Sequence, residues 1–323
     1  MDLDALLSAA RKKREPLLRS SDTTARRLFH GPADGLDGLV VEQFGDVLIA
    51  QTFAGHRLLP EEQLRRAIDR FRHEVGARAV YRKLFVSDRS AVPADVAAMH
   101  TNPRPWLGEP VEPEITVREY GLGYAIHPYD GFSVGLFLEH RENRRWVRSA
   151  AAGRRVLNAF SYTGGFSVAA AAGGAVSVSS VDLSKRYLEW SKRNFEINGI
   201  PTAGQRFFRS DVLDFCARAR RQGRRYDMVI LDPPTFGRLR RPARTFVLDE
   251  RLADLLRGAV GLLDPGGILL LATNARSIPL DLLGRDLGAA SGARECTILD
   301  PPILPPDFAG DPDYSKTIIA RIT

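Results

Sequence analysis

The second half of the chain alternates short apolar runs with longer segments of helical spacing, and this alternation most constrains the fold. Five runs have the length of strands: RRVLNAF, VSVSSVDLS, GQRFFRSD, YDMVILDPP and ILLLATN. Strands that alternate with helices form parallel sheets with helices on both faces. We therefore predict an α/β fold with a doubly wound, mostly parallel sheet. Two further strands, near 294–299 and 316–322, are expected to form an edge hairpin.

The first half predicts a smaller α/β unit. Residues 2–14 have helical spacing, and two apolar strands flank Gly45-Asp46, which is a hairpin turn signal. Residues 60–75 repeat apolar residues every three or four positions, and AVYRKLF has the composition of a strand. We expect an N-terminal helix within 1–24, a small α/β domain at 25–115 and a larger domain at 116–323.

Charge and cysteine content narrow the classes of partner. Lys and Arg number 46 against 39 Asp and Glu, giving a net charge of +7, which favours an anionic partner. The two cysteines form no CxxC pair, so we expect no metal site. No apolar run is long enough to cross a membrane, and the N-terminus lacks the charge order of a signal peptide. We predict a cytoplasmic protein; a monomer and a homodimer both stay open.

Ligands of such sheets bind beyond the carboxyl ends of the strands. The segment at 158–167, NAFSYTGGFS, is a glycine-bearing turn from a strand into a helix, but it is not GxGxxG, so dinucleotide binding is poorly supported. Small residues at such a turn let the backbone approach a carboxylate at the helix N-terminus. Close packing of the helix on the strand is the alternative explanation.

Acidic residues follow the next three strands. Asp182 ends the second strand, about 20 residues after the turn, where an acid accepts hydrogen bonds from ribose hydroxyls. Asp211 ends the third strand, and Asp232 follows the fourth within LDPPTF (231–236). Asp182 and Asp211 could each instead be a helix cap, with Ser184 competing for the first of these caps. Together the acids and the turn indicate a cofactor that contains adenosine.

These segments together resemble the class I S-adenosylmethionine-dependent methyltransferases, and among them the bacterial large-subunit rRNA methyltransferases. The resemblance rests on DGFSVGLFLEHRENR (130–144), VLNAFSYTGGFSVAAAAGGA (156–175), SVDLSKRYLEWSKRNFEING (180–199), SDVLDF (210–215) and YDMVILDPPTFGR (226–238). It implies a Rossmann-like catalytic domain, S-adenosyl-L-methionine as the cofactor and large-subunit rRNA as the partner. Residues 29–51 resemble the middle domain of these enzymes, for which a role in binding RNA or substrate is expected. The residues before 25 are too few for the RNA-binding PUA domain that often opens such chains.

The resemblance also assigns expected roles to residues. Cofactor binding is expected at Phe137, Arg141, Asn158, Phe160, Tyr162, Thr163, Gly164, Asp182, Leu183, Asn194, Asp211 and Asp232. Among these, the turn would hold the methionine part, and Phe137 and Arg141 would close over the cofactor. The substrate-facing, catalytic wall is expected at Asp232, Pro233, Pro234 and Phe236. Phe236 or Tyr162 could stack on a flipped base, or Phe236 could simply pack in its loop.

The cysteines bear on the target atom. Cytosine-C5 members of the family need a nucleophilic cysteine after the strand that follows DPP, and this chain has Thr273, Asn274 and Ala275 there. Cys216 and Cys296 are expected to be buried small hydrophobic residues. The resemblance of DPPTF and ATN therefore favours guanine N7. An exocyclic amine, cytosine C5, and a small molecule or protein substrate stay as alternatives.

Two runs of basic residues are candidates for the RNA path. GRLRRPAR (237–244) follows DPPTF directly and is predicted to be a loop that contacts phosphate. RARRQGRR (218–225) is expected at the opposite end of its strand and is interpreted as a solvated loop. Lys316 is a further candidate to approach the site from the C-terminal hairpin.

Overall fold

The computed structural model describes residues 2–56, 58–86, 92–240 and 243–323, without the side chains of 236–240 and 243–245. The chain divides into two compact units, Met1–Leu138 with Pro305–Asp311 and Glu139–Leu304 with Pro312–Thr323. Compactness does not show that a unit folds alone, so the domain boundary expected between 115 and 116 stays a prediction. Within the described ranges, no helix combines the length and apolarity that a membrane crossing requires.

The first unit contains a five-stranded sheet in the order β1-β2-β3-β4-β5. Its strands are β1 (Ala25–His30), β2 (Leu39–Phe44), β3 (Val47–Phe53), β4 (Ala79–Phe85) and β5 (Leu107–Gly108), and its helices are α1 (Leu3–Lys13), α2 (Glu15–Leu18), α3 (Glu61–Glu74) and α4 (Ala94–Thr101). A separate hairpin joins β6 (Ile115–Glu119) to β7 (Leu122–Ile126). The strand pairs are antiparallel except β3 with β4. The predicted helices at 2–14 and 60–75 and the hairpin at Gly45-Asp46 are confirmed.

The second unit contains a seven-stranded sheet in the order β10-β9-β8-β11-β14-β16-β15. Its strands are β8 (Arg155–Ala159), β9 (Ser177–Asp182), β10 (Arg206–Arg209), β11 (Tyr226–Leu231), β14 (Leu263–Thr273), β15 (Cys296–Leu299) and β16 (Lys316–Ile322). The helices are α5 (Arg141–Ala150), α6 (Gly165–Ala172), α7 (Lys185–Ile197), α8 (Val212–Arg221), α9 (Leu248–Val260) and α10 (Leu280–Ser291). Only β16 runs antiparallel to its neighbours, so the predicted doubly wound, mostly parallel sheet is confirmed.

Two expectations about strands had different outcomes. The predicted C-terminal hairpin is present, with β15 at the edge and β16 inserted beside β14. The prediction of a loop at 237–244 is wrong, because β12 (Phe236–Arg240) pairs antiparallel with β13 (Ala243–Val247). A basic composition suggested a loop, but arginine does not prevent backbone pairing between two strands. Arg241 and Pro242 lie outside the described residues.

Alternate residues of the central strands enter different cores. Val156 and Met228 belong to the core beneath α5 and α6, whereas their neighbours Leu157 and Val229 belong to the core beneath α8, α9 and α10. Burial on both faces explains the near-continuous apolar strands, since each fully buried side chain of this size contributes about 1.5–3 kcal/mol. The parallel direction then places the carboxyl ends of β8, β9, β10, β11 and β14 at one edge of the sheet.

Candidate active site

The turn after β8 adopts a backbone conformation that is unusual for its residues. Phe160 and Tyr162 have positive φ angles of 60° and 48°, and Gly164 has one of 78°. A left-handed conformation costs a residue with a Cβ about 1–2 kcal/mol. Hydrogen bonds hold the turn, because Ser161 N donates to the Val181 carbonyl at 2.9 Å and Gly164 N to the Ser161 carbonyl at 2.8 Å. Strain maintained in this way is typical of functional sites.

Gly164 lies too close to α7 for any larger residue. A Cβ at Gly164 would lie 2.0 Å from Ser191 Oγ, so the glycine is required for close approach as well as for its φ angle. Asn194, which is fully buried on α7, donates its amide to the Thr163 carbonyl at 2.8 Å. Asn194 therefore supports the turn, and its expected direct contact with the cofactor stays a prediction.

Buried polar atoms of this region lack hydrogen-bond partners among the described residues. They include the hydroxyls of Ser161 and Ser191 and the carboxamide oxygen of Asn158, whose amide donates to Ser167 Oγ at 2.8 Å. A buried polar atom without a partner costs about 1–3 kcal/mol, which a ligand with suitable donors would remove. The N-terminus of α6 also has no side-chain cap, so its first N–H groups suit a carboxylate. This donor and acceptor set fits the amino acid part of the expected cofactor.

Asp182 organises the turn instead of capping α7. Its carboxylate accepts from Tyr162 N at 2.9 Å and Ser184 N at 2.8 Å, while the Ser184 hydroxyl caps α7 through Tyr187 N. Burial raises the pKa of the Asp182 carboxyl, although these backbone hydrogen bonds lower it in part. The helix-cap alternative is therefore wrong for Asp182. Its contact with ribose hydroxyls stays a prediction.

Asp211 is the cap of α8. Its Oδ1 accepts from Leu213 N at 2.9 Å and from Asp214 N at 3.2 Å. The cap alternative is confirmed for this residue, and an additional contact with adenine stays a prediction. Leu183, one of the other expected cofactor residues, is 41% exposed at the end of β9.

The aromatic residues of the turn pack against their neighbours. The Phe160 ring lies 5.7 Å from Phe246, and the Tyr162 ring contacts Tyr187 edge-on at 4.5 Å between centroids. The stacking expected of Phe236 concerns a side chain outside the described residues.

Asp232 follows β11 and pairs with a histidine that the sequence did not single out. Asp232 Oδ2 lies 3.2 Å from His140 Nε2; the side chain of His140 is 4% exposed and that of Asp232 is 23% exposed. Burial alone would lower the pKa of His140, but the charge and hydrogen bond of Asp232, with Glu139, raise it above its ordinary value. The Asp232 carboxylate therefore favours a proton on His140 Nε2.

Further contacts fix this histidine. Asn143 Nδ2 lies 3.2 Å from His140 Nδ1 and donates to Thr317 Oγ1 on β16 at 2.8 Å. His140 is the only histidine within 139–323. Its place in GLFLEHR, a segment already expected at the site, was the one signal available.

The remaining predicted residues have the following places. Pro233 is buried and Pro234 exposed directly after Asp232, and Arg141 is fully buried at the start of α5. Phe137 is 39% exposed and belongs to the first unit. Lys316 pairs with Thr273 at the carboxyl end of β14, so it lies at the same edge of the sheet.

Neither cysteine lies at this edge. Cys216 is buried on α8, and burial raises the pKa of its thiol to about 12. Cys296 pairs with Ile322 in the β15–β16 ladder, at the opposite end from Lys316. Across the described ranges, no group of three His, Cys, Asp or Glu residues is arranged to hold a metal ion.

The sheet order, the glycine turn after β8 and the acids after the next strands define a class. A family model described as S-adenosylmethionine-dependent methyltransferase matches residues 26–315, and the chain belongs to this family. The predicted class of enzyme and its cofactor, S-adenosyl-L-methionine, are thereby confirmed. A crystal structure of a methyltransferase in complex with SAH is similar to 99% of the chain, with a TM-score of 0.86 and 29% identity over 80% of that structure.

Two relatives are more specific in name. The chain is 42% identical over 52% of its length to the ribosomal RNA large subunit methyltransferase K of Neisseria meningitidis serogroup B. It is 35% identical over 84% of its length to a ribosomal RNA large subunit methyltransferase of Deinococcus radiodurans. The chain spans 48% and 64% of the lengths of these two relatives.

Proposed function

We propose that this chain transfers a methyl group from S-adenosyl-L-methionine to large-subunit rRNA, at N7 of a guanine, in the cytoplasm. Relatives named as large-subunit rRNA methyltransferases and the positive net charge of +7 support RNA as the substrate. The observation that carries the choice of atom is the pairing of Asp232 with buried His140 at an edge without a thiol.

The chemistry of each acceptor atom explains this choice. Cytosine C5 needs a thiolate that adds to the ring, and Cys216 is buried in a core with its pKa raised to about 12. An exocyclic amine must lose a proton, and Asp232 already accepts a hydrogen bond from His140 Nε2. Guanine N7 has a free lone pair and loses no proton, so it needs neither a thiolate nor a free base.

The role of the protein is then mainly to position the reactants. When bound, S-adenosyl-L-methionine supplies an electrophilic methyl group on its sulfonium, and the N7 lone pair forms the new bond as the carbon–sulfur bond breaks. The turn at 158–164 and Asp182 hold the cofactor, and Asp232 with the two prolines forms the wall against which the guanine lies. Methylation leaves a positive charge on the base, which the adjacent Asp232 carboxylate stabilises.

Labelled methyl transfer tests the proposal. The protein is incubated with labelled S-adenosyl-L-methionine and deproteinised large-subunit RNA, and the RNA is digested to nucleosides for mass spectrometry. We expect label in 7-methylguanosine, and less label with the Gly164→Ala variant at limiting S-adenosyl-L-methionine. Label in N2-methylguanosine, N6-methyladenosine or 5-methylcytidine would refute the choice of N7. Absence of label from RNA, with transfer to a small molecule or protein, would refute the RNA substrate.

A further inference from the structure

A group of arginines without carboxylate partners extends from the candidate site to the opposite edge of the sheet. Residues 200–225, which include β10 and α8, hold seven arginines and two aspartates, a net charge of +5 compared with +7 for the whole chain. We name these seven residues the arginine surface: Arg206, Arg209, Arg218, Arg220, Arg221, Arg224 and Arg225. Most of the excess positive charge of the protein is therefore concentrated in 26 consecutive residues.

The arginine surface differs in its contacts from several other exposed arginines. In the described part of the chain four of its members bond to carbonyls or a hydroxyl or stack on a ring, and none of the seven is within ion-pair distance of a carboxylate. In contrast, Arg66 pairs with Glu62, Arg70 with Asp4, and Arg285 with Asp281. A guanidinium without an internal counter-charge keeps its full attraction for an anion.

The arginine surface begins at the candidate site. Arg209 donates to the carbonyl of Leu183 at 3.3 Å, directly after Asp182, and Arg218 donates to the hydroxyl of Ser210 at 3.0 Å. From there α8 extends for 10 residues, a length of about 15 Å, and its arginines lie within the last four residues, towards the opposite edge of the sheet. At about 3.4 Å per phosphate along one helical strand, this length matches about four phosphates.

We propose that the arginine surface binds the phosphate backbone of the RNA whose base enters the site. This inference rests on the proposed function. Guanidinium groups form forked hydrogen bonds to phosphate oxygens, and a row of them fixes the register of a strand without reading its bases. Of the run 218–225, interpreted from the sequence as a solvated loop at the opposite end of its strand, 218–221 are helical, whereas 222–225 connect α8 to the amino end of β11 as expected.

Protection of an exposed sheet edge is the competing explanation. β10 is an edge strand, and charged side chains on an edge oppose pairing with other molecules. This explains Arg206 and Arg209, which are on the strand. It does not explain Arg220 and Arg221 on α8.

A matched pair of triple variants tests the inference. The first variant combines Arg206→Gln, Arg220→Gln and Arg221→Gln. It removes the positive charge of three exposed side chains that make no hydrogen bond or ion pair among the described residues. The control combines Arg66→Gln, Arg70→Gln and Arg285→Gln, which removes the same charge from ion-paired positions. For both variants we measure the KM and kcat of rRNA methylation, and the RNA dissociation constant at 50 and 200 mM salt.

We expect the arginine-surface variant to raise KM and the RNA dissociation constant about tenfold at 50 mM salt, with kcat unchanged. Loss of three phosphate contacts reduces the salt slope by about 2, which is about 16-fold over this fourfold rise in salt, so the tenfold difference from wild type should disappear by 200 mM. The control should match wild type. Equal changes in RNA affinity for the arginine-surface variant and the control would overturn the inference. It would also be overturned if the arginine-surface variant aggregated but kept the RNA affinity of wild type, because that result indicates protection of the sheet edge. If wild type methylated no RNA, the proposed function would fail, while the binding measurements would still decide on the arginine surface.

Discussion

The pair formed by His140 and Asp232 gives the sharpest test of the site's electrostatics. The perturbations are His140→Gln, Asp232→Asn and both together, each in a Trp106→Phe background. That background leaves Trp146 and Trp190 as the only tryptophans, and both lie in the second unit. Their fluorescence therefore reports unfolding of the unit that contains the pair. A double-mutant cycle then isolates the coupling free energy between the two side chains.

The size of the coupling follows from the geometry. At 3.2 Å and an effective dielectric constant of about 20, the gross attraction is about 5 kcal/mol. Burial of His140 offsets much of this, because the imidazolium loses its hydration. Asp232 keeps part of its own hydration, since 23% of its side chain is exposed. A net coupling of about 2 kcal/mol remains, within the range for hydrogen bonds to charged groups.

The coupling should depend on pH with a defined sign. Asp232 and Glu139 raise the pKa of His140 against burial and the charge of Arg144, which lower it. A raised folded pKa contributes stability that is complete below the unfolded value, about 6.5, and is lost as pH rises through the folded pKa. We expect a coupling of about 2 kcal/mol at pH 6 and about 0.5–1 kcal/mol at pH 9, where a neutral hydrogen bond remains.

Urea titrations of the four proteins at pH 6, 7.5 and 9 measure this coupling. A value near zero at pH 6 would show that the pair contributes no net stability. A coupling of equal size at all three pH values would show that His140 does not change its charge in this range. Either result would refute the reasoning. A coupling that does not change with pH would mean that His140 and Asp232 form a hydrogen bond but not an ion pair.

Three further predictions concern the cofactor and the cysteines. Gly164→Ala places a Cβ 2.0 Å from Ser191 Oγ and should weaken cofactor binding at least about tenfold in calorimetry; unchanged affinity would contradict the role of the turn. Asp182→Asn should weaken binding by about tenfold at pH 8, and wild-type affinity should fall as pH drops through the raised Asp182 pKa. The double variant Cys216→Ala, Cys296→Ser should keep the rate of methyl transfer within about twofold of wild type, and loss of activity in a folded variant would support a thiol mechanism. Thiol reagents at pH 8 should not modify native Cys216, because burial raises the pKa of its thiol to about 12.

Local patterns allowed much of the site to be predicted. The turn before Gly164 and the acids Asp182, Asp211 and Asp232 were predictable because each follows an apolar run, and parallel strands bring their carboxyl ends to one edge. Whether an acid caps a helix could not be predicted, since the same residue types cap helices and accept from ligands. The structure separates Asp211, which caps α8, from Asp182, which holds the turn.

The sequence by itself determined the order of strands and helices, the family and the expected cofactor, because apolar periodicity and short motifs are local properties of the chain. The tertiary structure alone decided which distant groups meet. It brought His140 to Asp232 and paired 236–240 with 243–247. Among the described residues it also left the arginines of β10 and α8 without carboxylates, while Arg66, Arg70 and Arg72 of α3 found partners. Charge pairing depends on distances between segments far apart in the chain, and no local pattern encodes those distances.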